Sequence, residues 1–385
     1  MYTRKMADEL QKAATEYPVV TLIGPRQSGK TTLVKQLFPH KPYINLEAPD
    51  IRQFAEYDPR GLLAQYPEGV IFDEVQRAPA LLSYIQESVD EKPAKGKYIL
   101  TGSHQMALHE AITQSLAGRT AILKLLPLSM QELSGHCESF TVDDWLYQGF
   151  YPRIYQDKLN PTKAYRNYFE TYVERDVRQL INVKDINLFE KFMRLCAGRI
   201  GQLLDYTNLA NEVGVSAHTI KQWLSVLQAS FIIVQLQPYY ENFNKRVIKS
   251  SKLYFVDVGL ASYLLGIENP QQLTRDPLRG NLFENLVMME MIKYRYNLGL
   301  DPQLYFYRDN HQHEVDLIYK QGNQLIPIEI KSSATFHASF IKGAEYFMKL
   351  AGERSPHGYV IYTGEQENTS ANVRVLNYQH VIEII

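Results

Sequence analysis

Residues 24–31 read GPRQSGKT, and no other stretch limits so tightly what the chain can fold into. Gly24, Pro25, Arg26, Gln27, Ser28, Gly29, Lys30 and Thr31 match GxxxxGK[ST] at every fixed position. The apolar run VVTLI precedes them, and a helical pattern with Leu33, Val34, Leu37 and Phe38 on one face follows. Strand, loop and helix in that order aim the backbone N–H groups of the loop at phosphate oxygens. Lys30 adds a compact positive charge, and the Thr31 hydroxyl, with Thr32 beside it, is placed to ligate magnesium. Motif and context agree, which outweighs a chance glycine-lysine turn.

A second apolar run, GVIFDEVQ, ends in adjacent carboxylates, as parallel strands buried on both faces do at their functional ends. Asp73 is expected to hold magnesium through its water shell and Glu74 to orient the attacking water; the plainer alternative is two acids ending a strand. KYILTGSH then puts Ser103 or Thr101 next to Asp73 as a sensor of the γ-phosphate, although a simple turn explains TGS nearly as well. Arg119 in LAGRTAILK is a candidate for a neighbouring subunit's nucleotide in a homo-oligomer, with a surface or interdomain ion pair as the alternative.

A chain of 385 residues exceeds what one core serves, so several domains are expected, divided at 1–135, 136–186, 187–268 and 269–385. With 45% hydrophobic and 22% charged residues it reads as an ordinary soluble globular protein. A formal net charge of −1 excludes a uniformly basic nucleic-acid coat and leaves room for local patches. Cys137 and Cys196 are too few for a disulfide framework, and a reducing cytoplasm is the expectation. No apolar run suits a signal peptide or a membrane span.

Past residue 136 the periodicity turns helical. Tyr165, Tyr168, Phe169, Tyr172 and Val173 recur as a packing stripe rather than a base-stacking platform, and Arg175 and Asp176 read as an interdomain salt bridge. TNLANEVGVSAHTIKQWLSVLQ reads as helix-turn-helix, with small Ala210 at the approach, Gly214 at the turn, and Ile220 and Trp223 facing the core. LQASFIIVQLQPYY alternates like a wing hairpin. His218, Thr219, Lys221 and Gln222 are the DNA-contact candidates, against the alternative of a packing module.

In the last third, EVDLIY, the turn KQGNQ and LIPIEIK form a hairpin interrupted by charge. Period two puts Glu329 and Lys331 on one face and Ile328 and Ile330 on the other, with Asp316 brought alongside across the turn. Glu284 arrives from the helix GNLFENLVMMEMIKYRY, where it interrupts a face of Phe283, Val287, Met288 and Met291. Glu284, Asp316 and Glu329 are candidate ligands for a hard divalent cation, and Lys331 is the candidate to position or deprotonate the nucleophile. Arg308 and Tyr307 are placed on the nucleic-acid approach. His311 and His313 have zinc-like spacing but sit among polar residues, so a polar loop is the expectation.

GPRQSGKTTL, VIFDEVQ, ILTGS, LAGR and PLSMQEL resemble the AAA-type ATPase module of a bacterial and archaeal family of ATP-binding proteins with a C-terminal domain of unknown function. The likeness continues through YQGFYPRIY, YFETYVERDVRQL, KLYFVDVGL and GNLFENLVMME. Helix, three strands, helix, with Glu284, Asp316 and Glu329-x-Lys331, is also similar to the PD-(D/E)xK nucleases, though Ile328 leaves the "PD" part to Asp316 alone. The resemblance implies an α/β P-loop NTPase sheet of the additional-strand class, a helical and winged-helix segment, and a restriction-endonuclease-like α/β domain. It implies ATP and Mg2+ as cofactors, DNA as a partner and ATP hydrolysis, with metal-dependent DNA cleavage at the C-terminal cluster. The rival expectation is an ATP-controlled switch whose C-terminal domain is an inactive nuclease relative.

Overall fold

The computed structural model describes residues 2–103, 115–137, 139–177, 185–240, 249–370 and 372–385, and the side chains of 174–177 fall outside that description, Arg175 and Asp176 among them. β1 (Val19–Ile23), β2 (Tyr43–Asn45), β3 (Val70–Asp73), β4 (Tyr98–Gly102) and β5 (Thr120–Lys124) form a parallel sheet in the order β2-β3-β4-β1-β5. β4 lies between β1 and β3, the additional-strand arrangement expected. β1, β3 and β4 are buried along their whole length because helices cover both faces. On one face α1 (Ala7–Glu16) and α2 (Lys30–Leu37) bury Leu10, Leu33 and Val34 against Val20, Leu22, Ile71 and Ile99.

α3 (Met130–Leu133) opens with a reciprocal capping box between Ser129 and Glu132. α4 (Pro152–Gln156) and α5 (Pro161–Tyr168) follow, and a π-helical stretch, Phe169–Val177, continues α5. The stripe of Tyr165, Tyr168, Phe169, Tyr172 and Val173 is buried as expected. α6 (Ile186–Ala197), α7 (Tyr206–Val213) and α8 (Ala217–Ala229) come next, with Gly214 at the α7–α8 turn and Ile220 and Trp223 in the core. β6 (Ile233–Leu236) pairs antiparallel with β7 (Lys252–Phe255), so the strand closing this hairpin is KLYF, beyond the stretch from which a wing was expected.

α9 (Val258–Leu264) leads to α10 (Arg279–Asn297), and every residue of α10 from Asn285 to Lys293 is buried. Its sequence suggested one apolar face, but a helix apolar nearly all round belongs inside. The last sheet has the order β12-β13-β11-β10-β9-β8, built from β8 (Leu304–Arg308), β9 (Glu314–Gln321), β10 (Gln324–Lys331), β11 (Gly358–Tyr362), β12 (Asn368–Ser370) and β13 (Val373–Asn377). β9 and β10 pair antiparallel with Ile328 opposite Leu317, the register that sets Asp316 beside Glu329. β10, β11 and β13 run parallel, and α11 (Lys342–Ala351) crosses between β10 and β11. No described helix is long and apolar enough to cross a membrane.

Candidate functional site

β1 stops at Ile23 because Gly24 must pass the neighbouring strand closely: a Cβ there would lie 2.1 Å from the Leu125 carbonyl oxygen. Gly29, at φ +93°, takes the left-handed conformation that turns the loop into α2. Lys30 folds back and donates to the Gly24 and Pro25 carbonyls at 2.9 and 2.8 Å, while Ser28 Oγ donates to Pro25 O at 2.9 Å. Burial pulls the Lys30 pKa down to about 8, against the upward influence of Glu74 and Asp73. Arg26 donates to Glu47 at 3.1 Å.

The carboxylates of β3 reach this loop. Thr31 Oγ1 donates to Asp73 Oδ2 at 2.9 Å, the Tyr43 hydroxyl to the same oxygen at 2.5 Å, and the Thr101 hydroxyl to Asp73 Oδ1. Glu74 sits in the left-handed region at φ 56°, and its carboxylate accepts from Ser103 Oγ at 2.8 Å and from the Gln76 amide. The cleft beside them, about 510 Å³, is lined by Arg26, Gln27, Gly29, Lys30, Thr31, Thr32 and Glu74, and α4 covers it with Arg153 and Gln156. A second cavity of about 350 Å³ shares Gln27 and Arg153 and is walled by Tyr151, Ile154, Tyr165 and Tyr168. Gly24 to Thr32, Asp73, Glu74 and Ser103 thus gather around one loop.

Arg119 does not join them. Val19 pairs with Thr120, so Arg119 stands at the end of the sheet opposite the loop, where its guanidinium makes a two-pronged contact with Asp90 at 2.6 and 2.8 Å.

The C-terminal charges form a second cluster. Asp316 accepts from the Ile330 N–H and from Lys331 Nζ, both at 2.8 Å, and Lys331 also reaches Glu329 at 2.6 Å. Glu284 accepts from the Tyr254 hydroxyl and from Lys252 Nζ at 3.1 Å, and Lys252 meets Glu314 at 2.7 Å. Arg308 closes the set on Glu314 at 3.0 Å. Burial, reinforced by Asp316, pushes Glu329 up to about 8. Burial also raises Glu284, with Lys252 pulling the other way, whereas at Asp316 burial is overcome by Lys331 and Lys252, which hold it below the usual carboxylate range.

One expectation, that for Tyr307, needs correction here. Glu284, Asp316 and Glu329 converge, yet among the described residues no three His, Cys, Asp or Glu side chains are grouped to hold a metal ion. Several of their oxygens are turned to lysine ammonium groups, a tyrosine hydroxyl and a backbone N–H, while Glu329 Oε1 is buried with no hydrogen-bond partner. Tyr307 does not line an approach: it is fully buried and packs edge-on against Phe347, while Arg308 is spent on Glu314. His313 pairs with Asp309 at 3.1 Å and stacks on Tyr346. On α8, His218, Lys221 and Gln222 are exposed and Thr219 is partly so, with Lys221 lying over the Tyr206 ring.

Three family models match successive parts of the chain. An AAA domain matches residues 16–134, a domain of unknown function (DUF8612) residues 139–271, and a second one (DUF4143) residues 279–381. An uncharacterized protein of Mycobacterium tuberculosis is 30% identical over 336 residues, which is 86% of this chain and 74% of that protein. The chain belongs to this family of AAA-domain proteins with a C-terminal DUF4143 domain. A Haemophilus influenzae relative, also uncharacterized, is 24% identical over 250 residues, covering 60% of this chain and 58% of its own. A solved Walker-type ATPase of Pyrococcus abyssi covers 69% of this chain and 96% of its own at 16% identity and a TM-score of 0.38. As a member of the AAA-domain family, the chain is a P-loop ATPase with a second domain of mixed sheet at its C-terminus.

Several contributors in this AAA-domain protein escaped the sequence. Arg4 is buried behind the nucleotide loop, donating to Ser28 O at 2.6 Å, Leu126 O at 2.7 Å and Glu132 Oε1 at 3.0 Å. Nothing local in MYTRK signals that role, because its partners lie more than a hundred positions away except for Ser28. Tyr43 hides in a three-residue strand. Lys252 and Tyr254 were legible: in KLYF they share a face by the period-two rule that placed Glu329 with Lys331.

Lys30 is charged below its pKa of about 8 and neutral above it, and a triphosphate favours the charged form. ATP affinity is therefore expected to fall as pH rises through 8, by roughly tenfold between about pH 7 and pH 9; calorimetric titration at both values checks the sign. Replacing Arg4 with Met removes the prop under Ser28, so KM for ATP is expected to rise by more than kcat falls, with partial recovery in Arg4→Lys. Steady-state kinetics on folded variants measures that split.

Proposed function

We propose that ATP binding and hydrolysis at the loop from Gly24 to Thr31 controls how the downstream domains engage DNA, and that the C-terminal domain binds without cutting. The observation that carries the ATPase half is the contact of Thr31 with Asp73 beside the loop, because it unites the two groups a nucleotide-bound cation needs. Mg2+ suits this hydroxyl and carboxylate, and when bound with ATP it offsets charge on the β- and γ-phosphates. Lys30 exchanges the Gly24 and Pro25 carbonyls for phosphate oxygens. Glu74 orients and polarises the attacking water, and Ser103 next to it reports on the γ-phosphate. The tyrosine-walled cavity sharing Gln27 and Arg153 accepts the base by stacking.

His218, Thr219, Lys221 and Gln222 at the start of α8 form the face offered to DNA, in the manner of a helix-turn-helix. Non-cutting is favoured over nuclease action because Lys252, which lies outside the nuclease-like motif, already holds Glu284 and Glu314. Arg119 serves a neighbouring subunit only if it leaves Asp90, and a homo-oligomer is the setting for that exchange.

Glu74→Gln is expected to bind ATP near normally while turnover falls by about 10²–10⁴-fold, the range for a lost general base; unchanged phosphate release removes Glu74 from the mechanism. With supercoiled plasmid, Mg2+ or Mn2+ and ATP, the protein is expected to retard the DNA without nicking it, and less so as Lys221→Ala. Nicking that disappears in Asp316→Ala and in Lys331→Ala restores the nuclease reading.

A further inference from the structure

We propose that Lys252 is the resident cation of the C-terminal cluster, a tethered ammonium standing where a divalent metal ion is expected. The inference deepens the non-cutting reading and rests on the nuclease-like order of α10, β8, β9, β10 and α11.

The four residues that match that order, Glu284, Asp316, Glu329 and Lys331, come from α10 and the β9–β10 hairpin. Lys252 comes from outside it, on β7, a strand tied to β6 and by backbone bonds to Gly201 and Gln202. Its side chain is almost wholly buried, at 3% exposure, and ends 3.1 Å from Glu284 and 2.7 Å from Glu314. Glu314 and Asp316 share one face of β9, so the same ammonium also faces Asp316. Lys331 takes up the remaining carboxylates, and Arg308 the outer oxygen of Glu314.

Four acids thus meet three cations within one cluster that is buried at Lys252 and Glu329 and partly open at Arg308, Glu314 and Lys331. A divalent ion gains its affinity from several anionic oxygens with no competing positive charge among them. Here each acid has a cation within hydrogen-bonding distance, and a metal entering between Glu284 and Asp316 must drive the buried Lys252 ammonium off Glu284 while Glu314, 2.7 Å away, holds that ammonium beside the site. The anchor also has a mechanical effect. It fastens the β6–β7 hairpin to the last domain through charge, leaving a metal-like joint that chelators do not loosen.

The test is Mn2+ uptake by the nucleotide-free protein, followed by electron paramagnetic resonance, for wild type, Lys252→Met, Lys252→Gln and each combined with Asp316→Asn. Wild type is expected to take up no Mn2+ that depends on Asp316 below about 1 mM, the weak end of protein sites. A folded Lys252→Met or Lys252→Gln is expected to gain one Mn2+ at least roughly tenfold more tightly, and to lose it with Asp316→Asn. Uptake by wild type that Asp316→Asn abolishes overturns the proposal, as does a folded Lys252 variant that gains no site. If both variants unfold, the wild-type titration with its Asp316→Asn control still decides. Metal uptake without plasmid nicking sinks only the role of Lys252, whereas nicking sinks the non-cutting reading itself.

Discussion

The segments beyond the nucleotide sheet are organised around α10, a helix with no solvent face over its central turns. A helix in that position must satisfy its polar side chains internally, and it does so by gripping three other elements. Asn285 bonds both the N–H and the carbonyl of Phe255 in β7, at 2.7 and 3.0 Å. Glu290 accepts from the Met130 N–H at the start of α3 and pairs with Lys293, whose ammonium lies 3.6 Å over the Phe150 ring. Glu284, a turn and a half earlier, enters the charged cluster. One buried rod therefore touches the ATPase end, the hairpin and the last sheet.

That geometry gives the nucleotide loop a physical route to the far domain. Ser28 rests on Arg4, Arg4 on Glu132, and Glu132 caps the same short helix whose Met130 N–H is held by Glu290. The Arg4 joints are buried and the one at Met130 partly so, and breaking a buried ion pair such as Arg4–Glu132 by removing one partner costs about 3–5 kcal/mol. Asp257 adds a parallel brace, accepting from Phe150 N at 2.8 Å and from the Tyr165 hydroxyl at 2.6 Å, so the covering helices beside the cleft are tied to the segment that leads into α10. These contacts describe a connected set; two arrangements of it are what an ATP-driven change requires.

Local geometry was legible in the chain. GPRQSGKT and VIFDEVQ carry their own geometry, since each fixes a backbone conformation and a side-chain direction within a few residues, and the β9–β10 register followed from period two and a short turn. Long-range charge pairing was not legible. Whether Glu284, Asp316 and Glu329 face a metal or a lysine depends on what Lys252, 32 positions from the nearest of them, contributes: KLYF shows that Lys252 and Tyr254 share a face but not which acids that face meets. Tyr307 was misplaced for a related reason: alternation tells which residues share a face, but the side of the sheet covered by α11 is decided by tertiary packing. Arg4 left no trace, because a lone arginine near a helix start has many harmless explanations.

The folded-back posture of Lys30 has a kinetic consequence. By bridging the Gly24 and Pro25 carbonyls it pins the curvature of the loop from within. Entry of a triphosphate becomes a swap of two hydrogen bonds for others, not a coil-to-loop ordering event.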